Sequence, residues 1–196
     1  MRQIIFATHN SNKIEEIRQV VSKKIEIVSL SSLGDNQDIP ETGQTLQENA
    51  YQKAKYVYDK YHKDCFADDT GLEVEVLDGS PGVYSARYAG ENCTSEDNMV
   101  KLLEEMGDTT NRNAKFRTVI CLIENGKPRY FEGECQGVIT TQRYGNKGFG
   151  YDPIFIPNGF GSSFAEMTKE EKNLISHRGI ATRRLIAYLL NEDKSV

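Results

Sequence analysis

Any fold for this chain must accommodate two adjacent aspartates at the close of an apolar run, Cys65-Phe66-Ala67-Asp68-Asp69-Thr70-Gly71. The run reads as the end of a buried strand, and the glycine predicts a turn directly after it. Neighbouring carboxylates repel each other, and burial raises the pKa of one of them unless a cation offsets the cost. An Asp-Asp-Gly segment can also be a plain turn. A turn does not require two acids beside a buried strand, however, so the pair points to a divalent cation or a proton-transfer task.

Strand and helix signals alternate along the rest of the chain. Residues 3–7 and 25–30 read as strands. Between them Ile14, Ile17, Val20 and Val21 share one face of a helix over residues 13–23. Thr45 and Glu48 form a capping box, opening a helix with Leu46, Ala50, Ala54, Val57 and Tyr61 as its stripe. Leu72, Val74 and Val76 alternate with Glu73 and Glu75 as a half-exposed strand, and residues 78–82 are a turn. Thr94 or Ser95 caps a helix carrying Met99, Leu102, Leu103 and Met106. Asn125-Gly126 lies between two strand-like runs, residues 115–123 and 129–139, and is a strong hairpin signal. Thr168 and Glu171 form another capping box, and a last helix covers residues 179–191. This order predicts an α/β fold with a mixed sheet. A length of 196 residues fits one domain, 1–196, with two lobes around a cleft as a variant.

Charge and cysteine usage narrow the function. A net charge of −5 argues against a polymer nucleic-acid partner, yet a few lysines can still build a local positive pocket. Four cysteines (65, 93, 121, 135) with no C-x-x-C spacing read as unpaired thiols of a reducing cytosol. The apolar run at residues 4–7 is too short for a signal peptide, and no run reaches a membrane span, so a cytoplasmic chain without a membrane partner is expected.

Other segments carry chemistry beside a plainer alternative. Thr8, His9, Asn10, Ser11, Asn12 and Lys13 join the first strand to the first helix. They suit phosphate at a helix N-terminus, or are an ordinary capped start. Glu41 is a solvated loop acid, or a further carboxylate if a metal sits at Asp68 and Asp69; magnesium needs only one or two carboxylates beside water and phosphate oxygens. Lys53 flanks the apolar stripe of its helix, whereas Lys55 reads as solvent-facing. Residues 145–153 mix glycines with Phe149, Tyr151 and Asp152, either to approach and stack on a base or to turn and return aromatics to the core. Lys172 and the Ser176-His177-Arg178-Gly179 segment offer donors, or a helix cap.

Taken together, the motifs resemble one family. They are T-x-N-x-x-K at Thr8, Asn10 and Lys13, E-T-G at 41–43, E-N-A-x-x-K-A at 48–54 and A-D-D-T-G-L at 67–72. P-G-V-Y-S-A-R-Y at 81–88, G-F-G-Y-D-P-I-F at 148–155 and E-M-T-x-E-E-K-N-x-I-S-H-R-G at 166–179 complete the set. In order and spacing, over nearly the whole chain, they are similar to the inosine/xanthosine triphosphate pyrophosphatases, house-cleaning enzymes for non-standard purine nucleotides. The resemblance implies a two-lobed α/β fold with an elongated mixed sheet flanked by helices, an active-site cleft between lobes, a homodimer and Mg²⁺. It implies hydrolysis of ITP, dITP or XTP to the monophosphate and pyrophosphate. By the same resemblance Thr8, His9, Asn10, Ser11, Asn12 and Lys13 hold phosphates. Asp69 is the general base and a metal contact, Glu41 is the second metal carboxylate, and Asp68 could share that role. Lys53 stabilises phosphate charge, and Thr70, Phe149, Gly150, Tyr151, Asp152, Lys172, His177 and Arg178 bind the nucleotide. A 6-oxo base accepts hydrogen bonds where adenine donates, so donors from Arg178 or backbone N–H groups would select it. A pyrophosphatase for modified pyrimidine nucleotides and a non-catalytic nucleotide sensor are the competing readings.

Overall fold

In the structure, a computed structural model describing residues 2–21 and 24–191, Gly71 lies inside a strand and not in a turn. A Cβ at this position would stand 2.6 Å from the carbonyl oxygen of Gly82. Glycine is needed there because another backbone passes close by. The two runs expected as separate strands are therefore one ten-residue strand, Cys65–Val74. A 3₁₀ turn over Glu75–Leu77 replaces the expected continuation and leaves Val76 exposed.

In chain order the elements are β1 (Arg2–Phe6), α1 (Ser11–Val20), β2 (Ile25–Ser29), α2 (Leu46–Tyr61), β3 (Cys65–Val74), α3 (Ser95–Met106), β4 (Asn113–Glu124), β5 (Lys127–Ile139), β6 (Phe155–Pro157), α4 (Lys169–Ile175) and α5 (His177–Asn191). The sheet order is β2-β1-β3-β4-β5-β6. Strand β1 pairs parallel with β2 and β3, and β6 runs antiparallel to β5, which makes the expected mixed α/β sheet.

Local signals explain most of the boundaries. Thr45, Thr94 and Thr168 each accept from the N3 backbone, while Glu48, Asp97 and Glu171 reach back to the cap, closing three capping boxes. Asn125 and Gly126 both have positive φ, 48° and 76°, the geometry of a tight two-residue hairpin turn. Helix α1 starts at Ser11, two residues earlier than its apolar stripe suggests, because Asn10 caps it. It ends at Val20, with Val21 already extended, short of the expected residue 23; residues 22 and 23 themselves lie outside the described residues. Strand β6 has only three residues, too few for any alternation to be read.

The chain divides into two compact units. The first comprises the described residues of Met1–Asp69, Thr118–Gly133 and Arg178–Val196. Its core joins Ile4, Phe6, Phe66, Ile120 and Leu122 of the sheet to Ile14 and Ile17 of α1 and Leu185 and Leu189 of α5. Phe6 and Phe66 stack with ring centroids 4.5 Å apart. Each such side chain contributes about 1.5–3 kcal/mol when fully buried. The second unit, Thr70–Arg117 and Glu134–His177, packs Leu72, Val74, Phe116, Phe155 and Phe164 against Met99 and Leu102 of α3.

The register of the first unit places the aspartates. Ile5 and Phe6 pair with Cys65 and Phe66, and β1 then ends. Asp68 and Asp69 stand on β3 beyond the carboxyl end of its parallel neighbour. Open α/β sheets bind ligands at such strand ends.

Candidate active site

Successive side chains of a strand point to opposite faces, so Asp68 and Asp69, though adjacent, face different partners. The repulsion anticipated from the sequence is resolved by geometry: each carboxylate is hydrogen-bonded to different cations, and Lys53 acts on both through its charge.

Asp68 is 1% exposed. Lys13 Nζ donates to its Oδ1 at 3.0 Å, and Arg178 Nε donates to its Oδ2 at 3.0 Å. Arg178 also donates through Nη1 to Glu16 on α1. Burial alone would raise the Asp68 carboxyl, but the charges of Lys13, Arg178 and Lys53 outweigh it and hold the group far below the ordinary carboxylate range. Burial lowers the Lys13 ammonium more than Asp68 raises it. For Arg178, burial is outweighed by Asp68 and Glu16, and the guanidinium pKa is raised.

Asp69 sees a different set. Lys53 Nζ donates to Asp69 Oδ1 at 3.0 Å and also to Glu41 Oε1. Asn49 Nδ2 donates to Asp69 Oδ2 at 3.2 Å. Asn49 and Lys53 are one helical turn apart on α2, so both reach the same carboxylate. Glu41 is brought there by its loop. Thr42 N–H donates to Gln52 Oε1 at 3.0 Å, and Gly43 N–H donates to Asn49 Oδ1 at 2.8 Å. A Cβ on Gly43 would lie 2.6 Å from the Glu48 Cβ, so the loop docks on α2 only with glycine here. Burial pushes the Asp69 carboxyl up; Lys53 opposes this and Glu41 adds to it, for a net rise. Burial lowers the Lys53 ammonium, but Asp69, Glu41 and Asp68 overcome it and raise its pKa. Two carboxylates thus converge on one cation position. That donor set fits a hard divalent cation that completes its shell with water and phosphate oxygens. Among the described residues no group of three or more His, Cys, Asp or Glu closes an all-protein cage.

Within the loop before α1, capping accounts for much of the chemistry. Asn10 Oδ1 accepts from the N–H groups of Asn12 at 3.0 Å and Lys13 at 3.2 Å, and Thr8 Oγ1 accepts from Asn10 N–H at 3.2 Å. His9 Nε2 lies 2.9 Å from the Gln37 carbonyl oxygen. Ser11 and Asn12 are exposed in the first turn of α1.

In the second unit, Asp152 Oδ2 accepts from Lys172 Nζ at 2.7 Å and from Phe149 N–H at 2.9 Å. Gly148, with φ 74°, would place a Cβ 2.1 Å from that oxygen, so the turn needs glycine. The Lys172 ammonium lies 4.9 Å from the centre of the half-buried Phe149 ring. Gly150 has φ 63°, and Thr70 is half-buried on β3. Tyr151 returns to the core, where its hydroxyl donates to the Ser85 carbonyl at 2.9 Å. His177 stacks on Phe116 at 4.6 Å. Asn49, Gln52 and Glu16 were not singled out from the sequence. The Asn49–Lys53 spacing was the readable signal for the first, whereas Glu16 is identified only by its partner 162 residues away.

Fold and site together define an α/β protein with paired carboxylates and buried basic groups at the end of a parallel strand pair. The chain belongs to the Ham1 family, whose sequence profile matches residues 4–188. It is 57% identical over 189 residues to a Flavobacterium psychrophilum protein named dITP/XTP pyrophosphatase, covering 96% of this chain and all of that one. The Ham1 protein of Staphylococcus aureus superposes with a TM-score of 0.88 at 40% identity, covering 97% of this chain and 100% of that structure. A HAM1 protein of Coxiella burnetii gives 0.90 at 37% identity with the same coverage.

Proposed function

We propose that this chain hydrolyses non-standard purine nucleoside triphosphates, ITP, dITP and XTP, to the monophosphate and pyrophosphate, clearing them from the nucleotide pool. Relatives covering nearly the whole chain carry the name dITP/XTP pyrophosphatase. The observation that carries the reading is the convergence of Glu41 and Asp69 on one cation position, held by Lys53. Asp69 is the general base, and Asn49 fixes its orientation. It takes the proton of the water that attacks the α-phosphorus. Lys13 and Lys53 offset charge on the departing pyrophosphate, and the backbone from Thr8 to Lys13 cradles phosphate oxygens. Glu41 and Asp69 would hold Mg²⁺, which when bound activates water and neutralises phosphate charge.

The second unit's residues are assigned to the nucleotide. Phe149, backed by Lys172, offers a face for stacking, and Asp152 orders the turn that carries it. Thr70, Gly150, Tyr151 and His177 are further nucleotide candidates, Tyr151 and His177 from buried positions behind the surface, and Arg178 is the candidate donor for a 6-oxo base. A homodimer is the expected assembly, to be read by sedimentation. The test of the function is pyrophosphate release from ITP, XTP, dITP, ATP and GTP, each with Mg²⁺ and with EDTA. Metal-dependent turnover of the first three, with little for ATP and GTP, is expected. Turnover confined to modified pyrimidine nucleotides, or none from a folded protein, would overturn the assignment.

A further inference from the structure

We infer that Lys53 is a resident counter-ion that competes with the divalent cation for Glu41 and Asp69, so that metal entry requires its ammonium to leave and frees it for the triphosphate. The inference rests on the metal role proposed above for these two carboxylates. Lys53 Nζ bridges Glu41 Oε1 and Asp69 Oδ1 from a side chain that is 7% exposed. Both are cations drawn to the same two oxygens, so their mutual repulsion at that distance sets the ammonium and the metal ion in competition. Lys53 is not the sole hold on the two carboxylates or on the segment that carries them. Asn49 Nδ2 holds the second oxygen of Asp69, and the Glu41 loop is tied to α2 through Thr42 to Gln52 and Gly43 to Asn49. Lysine suits such an exchange: its charge is a point on a flexible four-carbon stem, and it binds phosphate as readily as carboxylate. The consequence is a coupling between ligands. A triphosphate that draws the ammonium away opens the carboxylate pair to the metal, and by linkage the metal favours the triphosphate equally.

The test measures Mn²⁺ binding to the full-length, nucleotide-free protein by electron paramagnetic resonance of the free ion. Lys53→Gln is expected to bind Mn²⁺ at least about tenfold more tightly than wild type, since the competing charge is gone while both carboxylates remain. Binding no tighter than wild type would overturn the inference. Binding in neither protein would overturn the metal assignment of Glu41 and Asp69 and the inference with it. A second measurement avoids any folding defect of the variant. In wild-type protein, acetylation of Lys53, read by peptide mass spectrometry, should be several-fold faster with saturating Mn²⁺ than without. The neighbouring Lys55, 46% exposed, serves as the unchanged reference. Equal Lys53 labelling in the two conditions, with Mn²⁺ bound, would refute the exchange.

Discussion

Asp68→Asn is expected to act on stability through the ion network around Asp68. The side chain keeps its shape but loses the charge that two cations share, Lys13 and Arg178, each 3.0 Å away in a site that is 1% exposed. Removing one member of a buried ion network typically costs about 3–5 kcal/mol, because the remaining charges stay buried without compensation. Glu16 still pairs with Arg178, so the loss falls in the lower part of that range, with Lys13 as the more exposed loser. In a chain of this length each kcal/mol moves Tm by about 2–4 °C, giving a fall of roughly 6–16 °C. Thermal and urea unfolding at pH 7 measure it. Adding Lys13→Met to Asp68→Asn removes the orphaned ammonium, so the double variant should lose less than the sum of the singles, by about 1–3 kcal/mol. The pH dependence follows from the depressed Asp68 pKa. Its contribution is complete above the unfolded value of 3.8 and fades as pH falls below it, so wild type should lose stability more steeply in acid than the variant. A Tm change below about 3 °C, the scale of a 1 kcal/mol effect, together with strict additivity, would refute the network argument.

Asp69→Asn should do the opposite, lowering kcat for ITP by about 10²–10⁴-fold while Tm falls less than for Asp68→Asn, because Lys53 keeps Glu41; steady-state kinetics beside calorimetry decides it. Asp35, which accepts from Lys60 Nζ at 2.9 Å and Tyr61 Oη at 2.8 Å, has its pKa lowered to about 2 by those hydrogen bonds. The stability it supplies is present above pH 3.8 and is lost between there and pH 2, so Asp35→Asn should flatten acid unfolding in that window and leave the profile above it parallel to wild type. Gly71→Ala must fit a methyl 2.6 Å from the Gly82 oxygen, and should cost about 1–3 kcal/mol in urea unfolding; an unchanged midpoint would mean that the two backbones separate freely.

Two of the three capping boxes, the Asn125-Gly126 hairpin and the apolar stripes of α2 and α3 are legible in the chain, because each is settled by hydrogen bonds or side-chain periodicity within about one or two turns; at α3 the sequence leaves Thr94 and Ser95 as alternative caps. The same locality makes the family motifs readable, and with them the types of residue at the site. Gly71 is the complementary case. A glycine beside acids looks like a turn locally, and only the passing Gly82 backbone shows that close approach is what it serves. The separate partners of the two aspartates are equally out of reach of a local reading. Asp68 meets partners 55 and 110 residues away in sequence, and Asp69 meets Lys53 and Asn49 across a different face. Sequence order sets which side chains exist and which helices and strands they ride on. Strand pleat and sheet register then set which carboxylate finds which cation, and those depend on pairings that no short window contains.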